Sequence, residues 1–138
     1  MNPPATSPLI AHLRTWLETR TQTFEEMASS SQYALWAFRH PTVSSGVLEF
    51  IDDATLSQGG AVVAMALSLD LPPIQSVQDA QALLEAAEWM MGINLVMKDF
   101  GSGGALMIQT KCPVHNVTED ELNQMALRLF EAKHYFED

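Results

Sequence analysis

The stretch 101-GSGGALMIQTKCPVHNVTEDELNQMALRLFEA-132 decides how this chain is read. Its glycine cluster suits a hairpin loop, where positive φ costs glycine little. "ALMIQTKC" then alternates, with Leu106, Ile108 and Cys112 on one face and Gln109 and Lys111 on the other, as a half-buried strand does. Pro113 ends it, because proline has no N–H for the ladder. Thr118 and Glu121 form a capping box, and Val117 can staple to Leu122 across it. Glu119, Asp120 and Glu121 complement the positive end of the helix dipole. Leu122, Met125, Leu129 and Phe136, flanked by Ala126 and Ala132, make the buried stripe of a helix from Glu119 to about Tyr135.

Upstream, "NLVMKDF" (94–100) reads as the strand before that hairpin. Ser76 with Asp79 opens another helix, with Val77, Ala80, Leu84, Ala87 and Met91 as its apolar stripe, widened by Leu83 and Met90. Gln78, Gln81, Glu85 and Glu88 lie mostly away from that stripe, and Gly92 is placed to end the helix in a left-handed conformation. Pro72 and Pro73 stop a strand. In 61-AVVAMALSLDL-71 every odd position is apolar, so the spacing predicts one buried face. "VLEFIDD" gives a strand over Val47 to Asp52, and the aromatic "YALWAFR" one over Tyr33 to Arg39. Three strands joined by short turns predict an antiparallel meander. At the start, Ser7 caps and Pro8 begins a helix expected to reach about Met27. Residues 1–6 read as a loose arm and 7–138 as a single domain. The order α-β-β-β-α-β-β-α predicts an α+β fold, its antiparallel sheet carrying helices on one face.

Composition narrows the function classes. The chain has 138 residues, enough for one core; 47% are hydrophobic and 17% charged, as in a globular domain. Seven Lys and Arg stand against 17 Asp and Glu, a formal charge of −10. Such a chain repels nucleic acid and anionic membrane surfaces, so neither is expected as a partner. The lone Cys112 forbids an intramolecular disulfide and suits a reducing cytoplasm. The first residues lack the charged start and long apolar run of a secretory signal, and no apolar stretch approaches the ~20 residues that span a bilayer. A cytoplasmic location is expected.

Candidate chemistry is sparse. Cys112 and His115 share "CPVH", yet a structural zinc site takes about four ligands and no second Cys or His pair completes this one. Cys112 as a nucleophile needs a base and a lowered pKa. Asp52 and Asp53 stand ahead of a turn, where a solvated strand end is the ordinary reading. "GSGG" has no following lysine or helix, so it is no phosphate loop. No catalytic residue, metal ligand or cofactor is expected, and the chain reads as a non-enzyme. The eight methionines lean instead towards binding adaptable apolar surfaces.

The run "LSLDLPP", the helix "AQALLEAAEWMMGIN", a glycine-bearing hairpin and "CPVHNVTEDELNQMALRLFEA" together resemble the type III secretion chaperone-like family, both its class I (CesT-type) chaperones and the YbjN-like proteins of the same fold. The resemblance implies a non-catalytic homodimer that holds an extended amino-terminal segment of a partner protein, a secreted effector in the chaperones, by strand addition and groove capture. It implies candidate partner-binding residues Leu13, Trp16 and Leu17 on the first helix, and Trp36, Phe38, Leu48 and Phe50 on an outer face of the first strands. Trp89 and Met90 become candidate dimer contacts. A YbjN-like regulator and an acidic immunity or antitoxin-like protein are the alternatives.

Overall fold

A computed structural model describes residues 7–40, 45–52, 60–71, 74–88, 90, 92–99 and 104–137. The elements run α1 (Ser7–Arg20), β1 (Thr23–Ser29), β2 (Tyr33–Arg39), β3 (Ser45–Ile51), β4 (Val62–Ser68), α2 (Val77–Glu88), β5 (Asn94–Asp99), β6 (Gly104–Pro113) and α3 (Glu119–Glu137), with a 3₁₀ turn over Val114–Asn116 before α3. The strands form one antiparallel sheet in the order β1-β2-β3-β4-β6-β5. This is the expected α+β class, with one strand more than expected.

The extra strand is β1. The expected first helix continued to Met27, but it stops at Arg20, and Thr23–Ser29 pairs with β2. Thr19 and Thr21 each bond a carbonyl in the turn before them, Thr21 Oγ1 reaching Leu17 O at 2.6 Å. β-branched residues favour extended backbone, and back-bonding of this kind competes with helix continuation. The meander therefore has four strands, β1 to β4. The chain then leaves through α2 to the far edge at β5 and returns with β6 between β5 and β4.

The main core lies between the sheet and two helices. Leu13, Trp16 and Leu17 of α1 and Leu122, Met125 and Leu129 of α3 pack on Ala34, Trp36, Phe38, Leu48, Phe50, Val63, Met65, Leu67, Ile108 and Cys112. At roughly 1.5–3 kcal/mol per buried large apolar side chain, this layer supplies most of the drive to fold. Trp16 meets Phe38 edge-on, their ring centroids 6.1 Å apart, and its indole N–H donates to Asn123 Oδ1 at 2.9 Å. Both predicted caps form: Thr118 Oγ1 accepts the Glu121 N–H at 3.0 Å, and Ser76 Oγ accepts the Asp79 N–H at 3.1 Å. Gly92 takes φ +75° beyond α2.

β4 departs from its predicted pattern. Val63, Ala64, Met65, Ala66 and Leu67 are all buried, so both faces are covered. On the face away from α1 and α3, Leu35, Val47, Ala66 and Met107 form a second apolar cluster to which no described helix contributes. Lys133, near the end of α3, is also buried. Its Nζ donates to Ser68 O at 2.7 Å and to Glu137, and lies 3.6 Å from Asp70 Oδ2, so it ties α3 to the end of β4.

Gly46 of β3 sits where a Cβ would approach Phe38 Cζ to 2.6 Å and the Ala66 carbonyl oxygen to 2.8 Å. A backbone oxygen there cannot move aside cheaply. Gly46→Ala is expected to lower unfolding free energy by about 1–3 kcal/mol, read as a fall in the urea midpoint without a change of slope.

Candidate functional site

The candidate partner-binding residues from the sequence occupy the interior. Leu13, Trp16, Leu17, Trp36, Phe38, Leu48 and Phe50 are all buried in the main core. As a docking surface this set is corrected. The face of β2 and β3 that carries Trp36, Phe38, Leu48 and Phe50 is the one roofed by the helices, not an outer face. Alternation had shown that these residues share a side; it could not say on which side the helices lie. Trp89 and Asp53, like the glycines at 101–103, fall outside the described residues.

The surface that remains available is built by α2. None of its residues is buried. The expected stripe holds at Ala80, Leu83 and Ala87 and is corrected at Val77 and Leu84, while Met91 lies outside the described residues. Val77 is 78% exposed and Leu84 64%, and the positions turned inward are Ala80, Leu83, Ala86 and Ala87, each only half-buried. Between α2 and the C-terminal turns of α3 runs a groove of about 310 Å³, lined by Leu71, Ile74, Asp79, Ala82, Leu83, Ala86, Tyr135 and Phe136. A second hollow continues along the same two helices past Ala86, Met90, Ile93, Arg128, Glu131, Ala132 and Tyr135. Met90, the expected dimer contact, is half-buried here. Ile74 and Tyr135 are exposed. The walls are mostly apolar; the lining carboxylate of the first groove is Asp79, whose Oδ2 accepts the Gln75 N–H at 3.1 Å, and Tyr135 brings a phenol. Such a lining can grip apolar side chains.

Cys112 is buried, and burial, with the Glu121 carboxylate adding to it, pushes its thiol up and away from the thiolate form; Arg128 opposes this. His115 is exposed beyond the strand end. His40 packs on Phe130 with ring centroids 4.5 Å apart, and burial lowers its pKa. Asp52 is a solvated strand end, as expected. Among the described residues no group of three or more His, Cys, Asp or Glu is placed to hold a metal ion.

One polar cluster escaped sequence reading. Glu49 of β3 is 3% exposed, on the sheet face to which no described helix contributes. It accepts the Tyr33 hydroxyl proton at 2.7 Å and the Lys98 ammonium at 3.0 Å. Burial, with Glu49 as acceptor, pushes the Tyr33 phenol well above its usual range. Tyr33 and Lys98 come from β2 and the edge strand β5, so the carboxylate bridges the sheet. Sequence reading placed Glu49 inside the strand "VLEFIDD" with no role, and no local signal marks it as buried.

An antiparallel sheet roofed by two helices, with a third helix left largely unburied beside an apolar groove, makes this an α+β protein. No protein-family model matches the chain, and no curated protein matches its sequence. No described helix is long and apolar enough to cross a membrane.

Removing one partner of the buried ion pair leaves the other without compensation. Lys98→Met is expected to cost about 1–3 kcal/mol, less than a fully buried pair would because Lys98 keeps 23% of its side chain exposed. The double variant Glu49→Gln/Lys98→Met is expected to recover part of that loss. Urea unfolding of the two variants beside the parent checks both.

Proposed function

We propose that this protein is a non-catalytic protein-binding module, of the secretion-chaperone-like kind, that holds a segment of a partner protein against α2 and α3. One observation carries the reading: α2 is rich in apolar residues, yet the fold buries none of them. A surface helix is ordinarily held by its apolar stripe. Here Val77, Leu84 and Ile74 stay exposed while the groove beside them has mostly apolar walls. Contiguous apolar surface of this sort marks interaction sites.

The sheet supplies a second mode of capture. Its edges are β1 and β5. β1 carries an irregularity at Met27 and two adjacent glutamates, devices that discourage further pairing. β5 pairs with β6 in unbroken register and exposes Met97 on its outer run. It is the better edge for an added strand. The family resemblance and this edge support an extended client segment.

The charge of −10 favours a second reading, an immunity or antitoxin-like protein that covers a basic toxin. A YbjN-like regulator shares the fold. What the groove captures separates the three.

Affinity capture from the host lysate, with the parent beside Leu83→Asp, tests the module. The expected result is one dominant protein, lost with Leu83→Asp and lost when that protein's amino-terminal segment is deleted. A partner retained by Leu83→Asp overturns the reading. A toxin or signalling protein in place of a secreted client selects an alternative. Light scattering reports whether the species is a single 15.2 kDa chain or a pair.

A further inference from the structure

We propose that the free end of the β5–β6 hairpin is a flap, latched by Lys98 and Glu49 over the sheet face to which no described helix contributes. Strand register carries the inference. Glu49 of β3 stands opposite Ala64 of β4, which stands opposite Lys111 of β6. Lys98 of β5 stands opposite Ala105, six residues along β6 from Lys111. Between β3 and β5 lie β4 and β6. At ~4.8 Å between strands and ~3.3 Å per residue, a flat sheet would set Glu49 and Lys98 roughly 24 Å apart. Two fully extended side chains do not span that gap. Yet Lys98 Nζ lies 3.0 Å from Glu49 Oε1. The hairpin end therefore curls back across the face towards β3.

The same register says what lies under the curl. From Glu49 the diagonal to Lys98 moves one strand over and two residues along at each step, through Ala66 of β4 and Met107 of β6. Ala66 is 1% exposed and Met107 2%, although no described helix reaches them. Val96 of β5 packs against the cluster they form with Leu35 and Val47. Alanine keeps the floor low enough for the ribbon to approach, and the unbranched methionine fills the space beside it.

Beyond the end of β4 the hairpin has a neighbour on one side alone. The Leu69 N–H donates to Leu106 O at 3.1 Å, the last such bond from the β4 side among the described residues. Lys98 and Asp99 pair with Ala105 and Gly104, and no third strand joins them among the described residues. A two-stranded ribbon is marginal in water, so this end depends on the Lys98–Glu49 pair and the apolar contacts beneath it. Unlatching strands neither charge. Glu49 still accepts the Tyr33 hydroxyl proton at 2.7 Å, and Lys98, already 23% exposed, returns to water. The open form uncovers Ala66 and Met107, a patch that the closed form hides.

Hydrogen exchange on the full chain, resolved by residue with NMR through urea concentrations below the unfolding transition, tests the flap. Protected amides at 96–99 and 105–107 are expected to exchange through a local opening that urea hardly affects. Those of β3 and β4 should exchange only through global, urea-sensitive unfolding. Lys98→Met should speed exchange at 96–99 and 105–107 by about tenfold, and Lys98→Arg, which keeps the cation, by far less. Amides at 96–99 and 105–107 that share the rate and urea slope of β3 and β4 overturn the flap. The urea series needs only the parent, so it decides this even where Lys98→Met does not fold. Local exchange that Lys98→Met leaves unchanged, or that Lys98→Arg speeds just as much, overturns the latch.

Discussion

Burial of α1 and α3 side by side on one face of the sheet is the constraint on which the rest of the structure depends. The two helices lie far apart in the chain, and both bury their apolar stripes in the main core on that face. Trp16 joins them: its ring edge meets Phe38 of β2, and its indole N–H reaches Asn123 of α3, 107 residues away in sequence. Arg20 and Glu119 add a surface ion pair between the end of one helix and the start of the other. Closing so long a loop costs chain entropy before any contact repays it. The roof therefore forms only with the sheet beneath it, and its apolar area is what makes that sheet worth ordering.

Each buried charge sits where the two layers or the strands must be held in register. Lys133 fixes the last turn of α3 to the end of β4 through the Ser68 carbonyl and Glu137. Glu49 spans from β2 to the edge strand β5 through Tyr33 and Lys98. A buried charge is costly unless it is paired and hydrogen-bonded, and both are. The helix-covered face is dominated by aromatic and aliphatic packing. The opposite face mixes a small apolar cluster with this polar bridge, so the two sides of one sheet are specified by different physics.

Much of this architecture was legible in the residues. β2 was read with its observed bounds, the caps at Ser76 and Thr118 form as expected, and the stripe Leu122, Met125, Leu129 lies in the core. These are local signals, set by a few neighbouring residues. β1 was missed because "TFEEMAS" is an edge strand with little buried face and so carries almost no alternation. α2 was found, but its orientation was not. Its apolar residues spread over so wide an arc that periodicity does not choose between Leu83 and Leu84 as the inner position. The groove was illegible for a further reason: Leu71, Ala86 and Phe136 meet only through tertiary packing. For the same reason the aromatic strand residues read as an outer surface. Pattern groups residues by side, and only the fold says which side is roofed.

Cys112 gives the chain one last property. It lies on β6 opposite Val63, beneath α3, and is the only thiol in the molecule. Packing shields the sulfur and keeps it protonated, so an alkylating reagent in solution meets it only when the helical roof lifts or the whole domain opens. The protein thus holds a native clock for its own breathing: the pace of covalent labelling at a single sulfur measures how often the layers part.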